Sequence, residues 1–207
     1  MRKLSLFFTL LFIVILVAPA SAIDKTGKIA IGGYAGYSFG FGDVFKKQGF
    51  DTYWYNYSYQ SKVTFSLGAL IKYGLTKNIA VSLALNYQRT KREAEYSYGT
   101  YNESISTGGH WPALLVNGIL ILIPERKTCP YLTGGGGLYI QSVKRGEDYS
   151  WDTDPDPHPG INLGGGVEHF LQNDLALDGG ARLHLIFMQD KMATYLQLYA
   201  GVNFYPF

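Results

Sequence analysis

KVTFSLGALIKYG, residues 62–74, is the stretch whose reading decides the fold. Its odd positions, Val63, Phe65, Leu67, Ala69, Ile71 and Tyr73, are apolar, while its even positions, Thr64, Ser66, Gly68, Leu70 and Lys72, are mostly small or polar. A period of two marks a strand with one apolar face, because successive side chains point to opposite sides. After a short connection over 75–78 the pattern resumes over 79–90, with Ile79, Val81, Leu83, Leu85 and Tyr87 against Ala80, Ser82, Ala84, Asn86 and Gln88. The two segments predict a hairpin.

The same unit recurs outward along the chain. Residues 29–39, 161–171, 175–187 and 194–204 alternate in the same way, and residues 111–123, WPALLVNGILILI, are apolar on both faces with Asn117-Gly118 at their centre. Together with the glycine-rich stretch before residue 143 they predict eight strands. Short connections (75–78, 124–129, 172–174) alternate with long ones (40–61, 91–110, 144–160). A soluble sandwich has no reason to segregate its loops by length, and it would turn its apolar face toward a second sheet. An outer-membrane barrel does, with short periplasmic turns, long external loops and an apolar exterior. The fold predicted is all-β: an eight-stranded antiparallel transmembrane up-and-down β-barrel, closed so that no edge is left unpaired.

The amino terminus supports that destination. Arg2 and Lys3, an apolar run over 4–17 and small residues ending at Ala22 predict a secretory signal peptide over 1–22, with the barrel occupying 23–207. Removing Arg2 and Lys3 from 18 Lys+Arg leaves 16, against 16 Asp+Glu, so the mature chain is neutral and carries no electrostatic case for nucleic acid. Cys129 is the single cysteine, which excludes an internal disulfide.

YLTGGGGLYI, residues 131–140, contains neither nucleotide-binding glycine pattern and runs directly into a strand. Gly135 and Gly137 share inward parity with Thr133 and Tyr139, where they make room for larger groups opposite; Gly134 and Gly136 face outward, open to cover by neighbouring aromatics. No cofactor motif is present. Asp152, Asp154 and Asp156 alternate as in a calcium loop, but Pro155, Pro157 and Pro159 favour extended backbone and no Glu stands at the twelfth place, so no metal site is predicted.

PYLTGGGGLYI, GINLGGGVEHFL, LALDGGARLHLIF and the terminal GVNFYPF resemble the small eight-stranded outer-membrane barrel proteins of the porin family related to OmpA and OmpX. The resemblance covers the whole mature chain and implies the outer membrane of a Gram-negative-type bacterium. It implies contact with outer-membrane lipid and lipopolysaccharide, and with periplasmic chaperones and the barrel-assembly machinery during biogenesis. It also implies that the carboxy-terminal aromatics Phe204, Tyr205 and Phe207 are the membrane-insertion signal.

Inside the barrel, strand phase points Lys72, Glu168, Asp178, Arg182 and His184 inward. Glu168 and Asp178 fall opposite each other, which requires Lys72 or Arg182 between them, so the expectation is a polar plug. Above the membrane, Tyr53, Trp54, Tyr55, Tyr57 and Tyr59 continue strand two, the tyrosines on its odd, outward parity, and Tyr96, Tyr98 and Tyr101 suit a partner extension. They read as an interfacial girdle or as a surface for an extracellular ligand. The function expected is structural or surface-binding and not enzymatic. The alternatives are a narrow channel and a lipid-A-modifying enzyme, the latter drawing on His169, His110, His158, Ser104 and Ser106.

Overall fold

The computed structural model describes residues 24–41, 44–45, 48–52, 55–98, 101–143, 156–189 and 191–206. Strands β1 (Ile29–Phe41), β2 (Gln48–Thr52), β3 (Tyr55–Gly74), β4 (Ile79–Tyr98), β5 (Tyr101–Ile121), β6 (Thr128–Val143), β7 (Asp156–Phe170), β8 (Leu175–Phe187) and β9 (Met192–Phe204) follow one another in a single antiparallel sheet. β1 pairs with β9 on one side and with β3 on the other, so eight strands close a barrel and β2 adds a short flap to the upper part of β3 alone. The signal-peptide segment 1–22 lies outside the described residues.

Period-two patterning maps onto the wall as expected. Ile31, Ile71, Leu85, Val116, Leu132, Leu163, Leu177 and Val202 stand exposed on the outer face, while Ala30, Asn86, Leu115, Tyr139, His184 and Gln197 are buried inside. An apolar exterior of this kind is stable only in lipid. Periplasmic turns are tight. In one, Leu75 N donates to Ile79 O at 2.9 Å and Thr76 Oγ1 accepts from Ile79 N at 3.0 Å.

Three expectations need correction. The connection at 91–110 is no long loop: β4 and β5 stay paired from Arg89↔His110 up to Tyr98↔Tyr101. Its residues are polar on both sides, because above the bilayer neither face gains from being apolar, and that hides a strand from a hydrophobicity pattern. The outer end also carries one short connection, 188–191, where Met188 N bonds Lys191 O. Lastly, β3 carries a bulge between Val63 and Ser66, so Val63 is buried while Phe65 is exposed, and odd parity is not outward throughout.

Glycines divide by task. An added Cβ at Gly68 or Gly160 would run into the rings of Tyr34 or Tyr139, so these glycines admit inward tyrosines, while one at Gly166 or Gly180 would meet a carbonyl of the neighbouring strand as well as the hydroxyl of Tyr131 or Tyr199. Gly135 and Gly137 differ from expectation. There an added Cβ would meet the Val116 and Leu114 carbonyls of β5, so close strand approach, and not a large group across the barrel, is what requires them. Outward Gly134 and Gly136 lie near aliphatic Leu163 and Ile161 of β7, not near aromatics.

Candidate functional site

The barrel interior is layered. Across the β7–β8 ladder Glu168 stands opposite Asp178, an arrangement that places two carboxylates side by side and demands cations. Lys72 from β3 supplies one, its Nζ 2.9 Å from Glu168 Oε1 and 3.7 Å from Asp178 Oδ2. Lys25 supplies the other: the chain turns at Gly27, with φ of 72°, beneath the barrel mouth, and Lys25 Nζ lies 2.7 Å from Glu168 Oε2 and over the Phe170 ring. The remaining lone pairs are taken. Tyr205 Oη and Asn203 Nδ2 donate to Glu168 Oε1 at 2.8 and 2.7 Å, and Tyr131 Oη and Asn203 Nδ2 donate to Asp178 at 2.7 and 2.9 Å. Full hydrogen bonding is what makes such burial tolerable.

Higher up, Arg182 lies over the Tyr199 ring, its carbon 5.3 Å from the centroid. Among the described residues its Nε and Nη1 have no hydrogen-bond partner, and Thr133 Oγ1 and Asn162 Oδ1, also buried, share that condition. The pairings Thr133↔Gly164↔Arg182 place two of these groups in one cross-strand row. Above them His184 bridges Tyr139 and Gln197. Gln197 Nε2 donates to Ser66 Oγ and Asn86 Oδ1, so its Oε1 is free to accept from His184 Nε2 at 3.2 Å. His184 Nδ1 therefore accepts from Tyr139 Oη at 2.8 Å, which makes the imidazole neutral. Phe45, Val63, Trp111, Ile186 and Ala193 close the top with an apolar cap.

All five predicted interior residues, Lys72, Glu168, Asp178, Arg182 and His184, are thus buried inside the barrel. Only Lys72, Glu168 and Asp178 form one ion cluster. Arg182 is no salt-bridge partner of either carboxylate among the described residues, because Lys25 and Lys72 take up that role, and His184 belongs to a separate neutral network. Lys25, Asn203 and Tyr131 were missed. Asn203 and Tyr131 could have been found from inward parity, whereas Lys25 precedes every alternating stretch and leaves no such signal.

At the carboxy terminus Phe204 faces outward, but Tyr205 is inside, held on Glu168. Phe207 lies outside the described residues. So do Tyr53 and Trp54. Tyr55, Tyr57 and Tyr59 do belong to β3, whose extension above the membrane was expected, but the bulge breaks the shared parity with Phe65 on which their grouping rested. Tyr96, Tyr98 and Tyr101 lie on paired β4 and β5, as the partner extension required. Asp152 and Asp154 fall outside the described residues, while Asp156 opens β7, with His158 Nε2 3.4 Å from its Oδ2.

The histidines raised for lipid chemistry are dispersed. His169 hydrogen-bonds Thr128 at the periplasmic rim, and His110 hydrogen-bonds Tyr87. Ser104 and Ser106 share β5 with His110, roughly 13 to 20 Å along an extended strand, too far for a nucleophile and base to meet.

Comparison with known proteins agrees with this architecture. Residues 8–204 match the profile of the outer membrane protein beta-barrel domain. Among solved structures the chain resembles Neisserial surface protein A (NspA), at 17% identity and a TM-score of 0.59 over 86% of this chain and 96% of that one. It also resembles Ail, the attachment invasion locus protein of Yersinia pestis, at 12% identity and a TM-score of 0.50 over 86% and 99%. At such identities the likeness concerns the fold. No curated protein matches the sequence significantly.

Proposed function

The chain belongs to the outer membrane protein beta-barrel domain family and resides in the outer membrane; from that premise we propose that it is a sealed barrel whose task lies at the cell surface, where its raised strands present a binding face to an extracellular ligand. The observation that carries this reading is the continuous β4–β5 pairing from Arg89↔His110 to Tyr98↔Tyr101. Nine further residues of strand add roughly 30 Å along the strand direction. A protein that only needed to cross the bilayer would turn back at its rim.

The filled interior supports a surface role over conduction. Asn203 near the periplasmic end, and Asn86, Gln88, His184 and Gln197 in the layer above it, are each at most 2% exposed, which a water-filled lumen would not permit. The reading is non-enzymatic. Its partners are membrane lipid around the wall, assembly factors that recognise the carboxy-terminal aromatics during insertion, and a surface ligand bound by the β3–β5 extension.

Two measurements test it together. Purified protein in a planar bilayer is expected to give no discrete conductance steps. Cells carrying the barrel with residues 92–107 replaced by a two-residue turn are expected to lose binding to host-cell glycan and matrix arrays, while the barrel keeps its heat-modifiable gel mobility. Single-channel steps, or array binding equal to the parent's, would refute the proposal.

A further inference from the structure

The outer half of the lipid-facing wall is not uniformly convex. A groove of about 700 Å³ runs between β3 and β6, lined chiefly by Leu67, Ala69, Leu85, Pro112, Leu114 and Leu138. Its depth follows from sequence: Ala69 is short and Pro112 flat, while the leucines around them stand out as ridges. Tyr87 lines it as well, with its hydroxyl hydrogen-bonded to His110 Nδ1. A volume in this range suits a ligand and not merely surface roughness.

What stands above the groove gives the ligand a head. β4 rises from the periplasmic turn at Ile79, so the next outward residue above Tyr87 is Arg89, directly paired with His110 on β5. Among the described residues close by, Lys62 and Lys91 are each held by Glu93, at 2.7 and 2.9 Å. Arg89 is different. Among the described residues only its main-chain oxygen is bonded, by Thr64 and Gln88, and its guanidinium has no partner. An unpaired guanidinium at the edge of an apolar band attracts an anion, and its planar fork suits phosphate in particular.

We propose that this face is a binding site for lipid A of lipopolysaccharide, with one acyl chain lying in the groove and a lipid A phosphate held by Arg89 and by the free ring nitrogen of His110. The leaflet follows from position, because the groove occupies the half of the wall farther from the periplasmic turns. The class follows from pairing an apolar slot with an uncompensated cation directly above it. The site is independent of any ligand bound by the β3–β5 extension.

The test uses the full chain in detergent and native mass spectrometry of bound lipid, titrated with three probes: bisphosphorylated lipid A, the same lipid A after enzymatic dephosphorylation, and phosphatidylglycerol. Bisphosphorylated lipid A is expected to be retained about tenfold more tightly than its dephosphorylated form, the scale of one charged hydrogen bond. Arg89→Ala is expected to abolish that difference, and Arg89→Lys to keep part of it. Ala69→Phe, which fills the groove from a lipid-facing position, is expected to weaken retention of both lipid A forms. Heat-modifiable mobility establishes that each variant is folded. Equal retention of the two lipid A forms, an Arg89→Ala variant that discriminates like the parent, or phosphatidylglycerol bound as tightly as lipid A would each overturn the assignment.

Discussion

Lys72 Nζ sits between two carboxylates that face each other across a strand pair, 2.9 Å from Glu168 Oε1 and 3.7 Å from Asp178 Oδ2. Lys72→Met therefore leaves two buried acids with a single remaining cation, Lys25, which reaches only Glu168. The expected cost is about 3–5 kcal/mol, the scale for breaking a buried pair from one side. Urea midpoints read from heat-modifiable gel mobility measure it. The double variant Lys72→Met, Asp178→Asn is expected to recover a substantial part, since Asp178 is the acid left without a cation while Lys25 still holds Glu168.

Arg182 behaves otherwise. Two of its nitrogens have no hydrogen-bond partner among the described residues, and it lies over the Tyr199 ring beside Tyr34. Arg182→Met keeps length and ring contact while removing unsatisfied donors, so it is expected to cost less than about 1.5 kcal/mol, or to stabilise. The same urea series ranks it against Lys72→Met. A loss as large as that of Lys72→Met would mean that Arg182 compensates Asp178 after all.

Gly68 and Tyr34 occupy one space. A side chain at Gly68 would run into the Tyr34 ring on β1, and overpacking of this sort costs about 1–3 kcal/mol or more. Gly68→Val is expected to lower the yield of folded barrel, and Tyr34→Ala in the same chain to restore it. Failure of the second change to rescue the first would show that the backbone, not the ring, requires glycine.

Above the membrane, hydrogen bonds from Lys62 and then from Lys91 pull the Glu93 carboxyl down to about 2. A depressed carboxyl favours the folded state above its unfolded pKa, and that contribution fades as pH falls from near 4.3 toward 2. The side chain is half-buried at the surface, where solvent screens the pair, so the effect is on titration more than on stability. Carbon-13 NMR titration of the Glu93 carboxyl is expected to show it still ionised at pH 4. Lys62→Gln with Lys91→Gln is expected to return it to the ordinary range.

Much of this was legible in the chain because lipid enforces a contrast. Wherever one strand face meets hydrocarbon and the other meets a packed interior, alternation reports direction, and Lys72, Glu168, Asp178, Arg182 and His184 were all placed inward on that basis alone. The contrast vanishes above the rim. There the upper halves of β4 and β5 read as a loop, and β2 went unseen. Parity also carries no warning of a bulge, so the tyrosines of β3 were grouped as though Val63 and Phe65 shared a face. Of the two cations named for the facing carboxylates, Lys72 stands between them and Arg182 does not, because side-chain phase fixes a direction and not how far a side chain reaches, and it gives no sign that Lys25 enters from below.

Glu168 receives Lys25 from the start of the described chain, and Asn203 and Tyr205 from its end. Its carboxylate is satisfied only once both extremities have arrived, since three of its four partners come from them and Lys72 alone from a strand between. The residue thus works as a clasp. A barrel still open at the β1–β9 seam would hold an underbonded acid in its interior, and seam closure and charge compensation would then be completed in a single step.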